Sequence, residues 1–334
     1  MRPLFSTALL LALTAATPPA APTQKPIPSP GEIVAAAPAS DWRDIAADDL
    51  LVMTLAPDAK GKPRTVIIQL MPPPFSQGWV SNIRALARAH WYDGLSINRV
   101  QDNYVVQWGD ANSDDDKKAK TLPTGLKAMP ESEYVANLPI RELRAVRDGF
   151  PHGRGDAYAL KTFFLGGWPV AGGDDAEPVI AYDKNGKRLP AATEEPVWPI
   201  HCYGMVGVGR GMSPDTGTGA ELYTVIGHAP RHLDRNIALV GRVVEGIENL
   251  SSLPRGTGQL GFYEDAAERV PILSIGLASE LPAAERPHFQ YLATDSESFA
   301  RYADARANRR DPFFIVSADG ADICNIPVPI RRKP

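Results

Sequence analysis

"LSINRVQDNYVVQWGD", Leu95 to Asp110, sets an arginine inside a largely apolar run and follows it with a polar turn and a second apolar run. Branched residues at Ile97, Val100, Val105 and Val106 favour extended chain. Gln101-Asp102-Asn103 supplies the turn chemistry between them. The stretch therefore predicts two short strands joined by a tight connection, with Trp108-Gly109-Asp110 as the turn that ends the second. Strict alternation puts Leu95, Ile97 and Arg99 on one face, and Val105 and Gln107 on one face. Alone, Arg99 would be a solvent-facing strand residue. Beside an amide on a neighbouring strand it becomes a directed hydrogen-bond donor.

Upstream, "SQGWVSNIRALARAHWYDG" carries Trp79, Ile83, Leu86 and His90 at helical spacing, with Ser76 as cap and Asp93-Gly94 as stop. Before it, "DLLVMTL" and "RTVIIQL" flank the turn-rich "APDAKGKP" and predict a hairpin. Downstream, from about residue 111 to 200, the pattern loosens into charged and turn-like segments, read as an insertion into one domain. Strand signals resume at "HCYGMVGVGR" and "AELYTVIG", where alternation pairs Glu221 with Tyr223. A helix is expected over "VVEGIENLSSL" and a closing strand over "VPILSIGLA". After these come a helix in "SESFARYADARAN" and a strand in "DPFFIVSA". The balance is mainly β, which the 32 prolines and 28 glycines of the 334-residue chain favour over a helical bundle.

The first residues, "MRPLFSTALLLALTAATPPAAP", place one arginine before an apolar run and then small residues, the pattern of a secretory signal peptide over 1–21. The run is too short for a stable bilayer anchor. Thr17 to Ser40 holds seven prolines and reads as an extended spacer, so 22–44 is expected to be a linker. Export implies a periplasmic or secreted protein with no membrane attachment after cleavage. Cys202 and Cys324, the two cysteines of the chain, would remain thiols in the cytosol but can bridge in an oxidising compartment. A disulfide between them would tie a C-terminal extension to the core.

A net charge of −4 with scattered basic residues argues against a nucleic-acid face. "DANSDDD" opens like a calcium loop, but Asp115 and Thr121 stand where glycine and glutamate are needed. His228 and His232 are four apart, yet Pro230 interrupts any helix that would align them on a metal. "GVGRGMSPDTGTG" lacks the Lys-Ser/Thr ending of a phosphate loop, and neither Gly-x-Ser-x-Gly nor His-Glu-x-x-His occurs. No cofactor and no metal is called for.

Three blocks taken in order resemble the cyclophilin-type peptidyl-prolyl cis-trans isomerases. "WVSNIRALARAHWYDGLSINRVQDNYVVQWGD" is similar to the family's helix, its Tyr-Asp-Gly turn and its two catalytic strands. "GVGRGMSPDTGTGAELYTVIG" is similar to its second signature, and "HLDRNIALVGRVVEGIENL" to the run that follows. The resemblance implies a closed eight-stranded antiparallel β-barrel capped by two helices, spanning 45–284 around the 111–200 insertion, with 285–334 as an extension packed on it. It implies Arg99 as catalytic arginine, Gln107 as its partner, and Tyr104, Val105, Tyr223 and Leu233 as walls of a proline pocket. Gly209 and Arg210 fall where peptide backbone is bound. Glu221 replaces a glutamine, His232 an aromatic residue, Ile237 a histidine and Trp108 a glycine. The implied activity is isomerisation of X-Pro bonds in exported polypeptides by a monomer. The alternative is a proline-peptide-binding or chaperone module with little turnover. Glu221 near Arg99 would either partly neutralise it and lower turnover, or favour basic residues beside the proline.

Overall fold

The computed structural model describes residues 27–139, 156–173 and 194–334; the predicted signal peptide lies outside the described residues. The chain enters through α1 (Pro30–Ala35) and β1 (Trp42–Ile45), followed by the hairpin β2 (Leu50–Leu55) and β3 (Arg64–Leu70). Helix α2 (Gln77–Arg88) leads into β4 (Ser96–Val100) and β5 (Val105–Gly109). The insertion supplies β6 (Ala136–Pro139), β7 (Lys161–Leu165), β8 (Trp168–Gly172) and β9 (Glu194–Pro199). Next come β10 (Met205–Val208), β11 (Leu222–Val225), β12 (Leu239–Glu245), the short α3 (Glu248–Ser251) and β13 (Val270–Leu277). The extension contributes β14 (Phe289–Leu292), α4 (Glu297–Ala307) and β15 (Ile330–Arg332).

Eight strands close into an antiparallel barrel in the order β10-β11-β5-β4-β13-β2-β3-β12. Trp79, Ile83 and Leu86 project from one face of α2 into the same core as Met53, Ile68, Val106 and Trp108. Trp108, where the family resemblance expects glycine, is fully buried there, and β5 continues to Gly109 in place of the expected turn. The unbroken apolar run of β2 has a direct cause. Leu51, Met53 and Leu55 face the main core, while Leu50 and Val52 face a second cluster with Ile45, Ile67 and Phe289. A strand buried on both sides reads as continuous hydrophobicity.

That second cluster belongs to a three-stranded sheet, β1-β14-β15, laid over the barrel's outside. Here the linker expectation for 22–44 fails from Pro30 onward; residues 22–26 lie outside the described residues. Ser29-Pro30-Gly31-Glu32 forms a capping box: the Ser29 side chain accepts from the Glu32 N–H, and the Glu32 carboxylate accepts from the Ser29 N–H at 2.7 Å. Pro30 occupies the first helical turn, where a missing N–H costs nothing. β1 then pairs with β14 from Trp42↔Leu292 to Ile45↔Phe289, so residues 30–45 belong to the folded body. Cys202, just before β10, forms a disulfide with Cys324 across 122 residues.

The insertion forms its own antiparallel sheet in the order β6-β9-β8-β7. Its side chains Phe163, Trp168 and Trp198 nevertheless share the main core, so it is not an independent unit. The Gly166-Gly167 turn, with φ of 56° and 86°, is the hairpin signal between β7 and β8 that the sequence reading passed over. Other boundaries differ too. Ser76 is left-handed and makes no side-chain cap; the Gln77 amide instead bonds the carbonyls of Met71 and Phe75. Helix α2 ends at Arg88, leaving His90 exposed beyond it. Only Glu248–Ser251 of "VVEGIENLSSL" is helical, because Val243 to Glu245 complete β12. "DPFFIVSA" is not a strand: the edge of β14 is already taken by β15, and Phe313 and Ile315 stand exposed in turns. Among the described residues, no helix is long and apolar enough to cross a membrane.

Candidate active site

Three adjacent strands place one row of side chains on the outside of the barrel. The ladder aligns Arg99 of β4 with Gln107 of β5, and Gln107 with Tyr223 of β11. The row depends on an irregularity. The β4–β5 register shifts between Ile97 and Arg99, so Ile97 and Val100 both enter the core while Arg99 stays half-exposed. Strict alternation placed Leu95, Ile97 and Arg99 on one face; the bulge at Asn98 separates them.

Arg99 is held on every nitrogen. Its Nη1 donates to Gln107 Oε1 at 3.1 Å, its Nη2 to Gln101 Oε1, and its Nε to the Leu260 carbonyl at 2.8 Å. The rings of Tyr104 and Phe262 lie 5.7 and 5.3 Å from its Cζ. Desolvation lowers its pKa below that of a free guanidinium. Gln107 turns its NH2 group to Glu221 Oε2 at 3.0 Å, and Glu221 Oε1 accepts from Ser113 Oγ at 2.9 Å. A carboxylate only accepts, so Glu221 fixes which end of the Gln107 amide faces Arg99. Burial raises the Glu221 pKa against the pull of these two donors.

Beside this polar row lies an apolar cluster. Val105, Tyr223 and Val225 are buried together, with Tyr104, Leu233 and Ile237 packed around them. His232 stacks on Tyr104 with centroids 6.4 Å apart and only 12° between planes. His228 is exposed and supplies its backbone N–H to Asn103. Gly209 donates its N–H to the Glu221 carbonyl at 2.8 Å, and a Cβ there would meet the Glu221 side chain at 2.8 Å. Arg210 turns to the carbonyls of Asn236 and Gly211. Asp110, at the head of the acidic loop, accepts from the backbone N–H groups of Asn112 and Lys120. Among the described residues, no three His, Cys, Asp or Glu side chains group to hold a metal.

Behind this cluster runs a polar relay that sequence reading missed. Tyr223 crosses Gly207, where a Cβ would lie 2.3 Å from its hydroxyl, and reaches His201 Nε2 at 2.9 Å. His201, fully buried, bonds Asp234 Oδ1 through Nδ1 at 2.8 Å. Asp234 accepts in addition from the His201 backbone N–H at 3.0 Å and from Arg231 Nε at 2.6 Å. Arg231 in turn grips Asp156 of the insertion with two N–H groups at 2.7 and 3.1 Å. Desolvation depresses the His201 pKa, so the ring is neutral. Nδ1 keeps its proton and donates to the Asp234 carboxylate, leaving Nε2 to accept from the tyrosine hydroxyl. No periodicity marks a lone histidine between Ile200 and Cys202. Only a tyrosine where the family resemblance expects phenylalanine hints that its hydroxyl needs a partner.

A family model described as cyclophilin type peptidyl-prolyl cis-trans isomerase/CLD matches residues 78–277, more than half of the chain. Among solved structures, the cyclophilin AquaCyp293 from Hirschia baltica aligns with a TM-score of 0.62 at 21% identity, covering 87% of this chain and 92% of that one. A cyclophilin-type isomerase of Cryptosporidium parvum, crystallised in the presence of the dipeptide Ala-Pro, aligns with a TM-score of 0.34 at 11% identity, over 68% of this chain and 98% of that one. No curated protein matches the chain.

Proposed function

The chain belongs to the cyclophilin-type peptidyl-prolyl cis-trans isomerases, and from that premise we propose that Arg99 drives isomerisation of X-Pro bonds in exported polypeptides. The observation that carries this reading is the Arg99–Gln107–Tyr223 row, with a cation held beside an apolar cluster. Rotation about an amide is opposed by ~18–20 kcal/mol because the C–N bond has double-bond character. At the twisted state the prolyl nitrogen regains a lone pair, which the planar amide does not offer. A donor aimed at that nitrogen stabilises the twisted state without tightening the ground state.

The site has the parts for this step. A guanidinium carries more N–H donors than the three acceptors that hold Arg99, so the group is both fixed and able to donate. Tyr104, Val105, Tyr223 and Leu233 would enclose the ring and exclude water, while the relay through His201 keeps the tyrosine hydroxyl out of the pocket. Glu221 would bias the polar flank toward basic residues near the proline. His232, stacked on Tyr104, would border the same cluster, and Gly209 and Arg210 would line the path of the peptide backbone.

Action on exported clients is supported by the N-terminal charge-then-apolar pattern and by the Cys202–Cys324 disulfide, a bond suited to an oxidising compartment. The test is catalysis by the mature protein of a short X-Pro peptide, whose unaided exchange takes tens to hundreds of seconds. Exchange accelerated at micromolar protein supports the reading. Tight peptide binding without acceleration would make the protein a proline-peptide binder.

A further inference from the structure

The barrel wall behind Arg99 is finished by a loop. β13 pairs with β4 only at Val270↔Ile97 and Pro271↔Ser96. Beyond that point the segment from Gly256 to Tyr263 takes over the free side of β4. Gly256 donates its N–H to the Val100 carbonyl and Tyr263 to the Asn98 carbonyl, each at 2.9 Å, and Phe262 bridges Arg99. Inside the loop, Gly258 bonds the Phe262 carbonyl and Gly261 the Gly258 carbonyl, both at 3.1 Å. A Cβ on Gly256 would lie 2.0 Å from the Gly261 oxygen, so only glycine lets the loop close this tightly.

This well-tied loop puts two large apolar side chains into solvent. Leu260 is 58% exposed and Phe262 38% exposed. Leu260 also has a φ of 56°, a conformation that leucine seldom adopts. Its carbonyl holds Arg99 Nε, while the Phe262 ring lies 5.3 Å from the guanidinium carbon. An exposed apolar pair on a hydrogen-bonded loop with a left-handed leucine, set beside the Arg99 guanidinium, offers a ligand apolar surface in a fixed place. The flanks of the groove therefore differ. Across β5 stands the Glu221 carboxylate; on the far side of β4 stand Leu260 and Phe262.

We propose that Leu260 and Phe262 form a second subsite that takes a large apolar or aromatic side chain next to the proline, on the flank opposite Glu221. The subsite rests on the reading of the Arg99 row as the active site. A peptide with its proline against the Tyr104–Tyr223 cluster must pass Arg99, and its next side chain on that flank meets the two apolar groups. Covering them removes apolar surface from water, which is worth about tenfold in affinity for a half-exposed pair.

The test uses the full mature chain and short peptides varied to Ala, Lys, Leu or Phe immediately before and immediately after the proline. Binding is read from peptide-induced shifts, and turnover from exchange spectroscopy on the same samples, with no coupled protease to constrain the sequence. The expected result is about a tenfold preference for Leu or Phe over Ala at one flanking position. That ratio should collapse toward one in Leu260→Ser and in Phe262→Ser. The ratio compares two peptides on one preparation, so it is independent of any overall loss of rate. Leu260→Ser changes an exposed side chain and keeps the carbonyl that holds Arg99, so it tests the subsite even if Phe262→Ser melts early. No apolar preference at either position, or a preference that survives both variants, overturns the subsite. Apolar preference in binding without accelerated exchange keeps the subsite and removes the isomerase mechanism.

Discussion

Replacing His201 by phenylalanine keeps a planar ring behind the apolar cluster and deletes both of its nitrogens. Tyr223 is buried and has His201 Nε2, at 2.9 Å, as its hydroxyl partner. Losing that acceptor strands a buried donor, which costs about 1–3 kcal/mol. Asp234 loses the Nδ1 donor at 2.8 Å but keeps the backbone N–H of residue 201 and Arg231 Nε. A charge-assisted bond with two remaining neighbours adds about 1–2 kcal/mol. The single variant should therefore lose about 2–5 kcal/mol in urea unfolding at neutral pH. Tyr223→Phe removes the stranded group in advance, so the double variant should be more stable than additivity allows by about 1–2 kcal/mol. The same cycle read in KM should show the apolar cluster loosened in His201→Phe and largely restored in the double variant, because the phenylalanine ring has no hydroxyl to reposition. Additive unfolding energies, or a KM unmoved by His201→Phe, would refute a relay that positions Tyr223.

The relay also sets a pH response. The His201 pKa is depressed below 6.5 by desolvation, so the unfolded chain binds the proton more tightly. Its contribution to stability is complete above pH 6.5 and is lost as pH falls toward the folded value; melting curves from pH 7.5 to 5 should slope more steeply for the native protein than for His201→Gln. Glu221 has the opposite shift, raised above 4.5 by burial. Acidification should neutralise it first, lowering the ratio of kcat/KM for Lys-flanked over neutral peptides, and Glu221→Gln should make that ratio independent of pH. Opening the Cys202–Cys324 bond, which spans 122 residues, should cost about 4–5 kcal/mol in the chain-entropy description. Cys324→Ser compared with the oxidised protein in denaturant measures it. Gly207→Ala places a methyl carbon 2.3 Å from the Tyr223 hydroxyl and should raise KM more than it lowers kcat.

How far the sequence reached depended on whether a residue's role was local. Continuous or alternating hydrophobicity marks β2, β3 and β5 directly, because each strand's burial is written in its own side chains. The row Arg99, Gln107, Tyr223 came from a family resemblance, and simple alternation would have misplaced Arg99, since a bulge leaves no mark in composition. His201 and Asp156 were not legible: each acts through partners 33 and 75 residues away in the chain. Leu260 and Phe262 were hidden for a different reason, as apolar residues in a glycine-rich loop give no period. The folded part of the 22–44 segment, from Pro30, was hidden because seven prolines between Thr17 and Ser40 outweighed a capping box that the Ser29-to-Glu32 spacing already displayed.

Arg99 itself offers the most direct measurement. Isomerisation of one X-Pro peptide, peptide affinity and thermal unfolding should be followed on the same preparations of the native protein, Arg99→Ala and Arg99→Lys. A preorganised donor that acts only on the twisted amide is worth about 2.7–4 kcal/mol. Arg99→Ala should thus lose about a hundred- to a thousandfold in kcat/KM while peptide affinity stays near native, the loss of its three hydrogen bonds lowering stability by about 1–3 kcal/mol without unfolding the protein. Lysine should restore little, because a mobile ammonium cannot hold Gln101, Gln107 and the Leu260 carbonyl together as the fork does. Near-native turnover in folded Arg99→Ala would contradict the role assigned to Arg99.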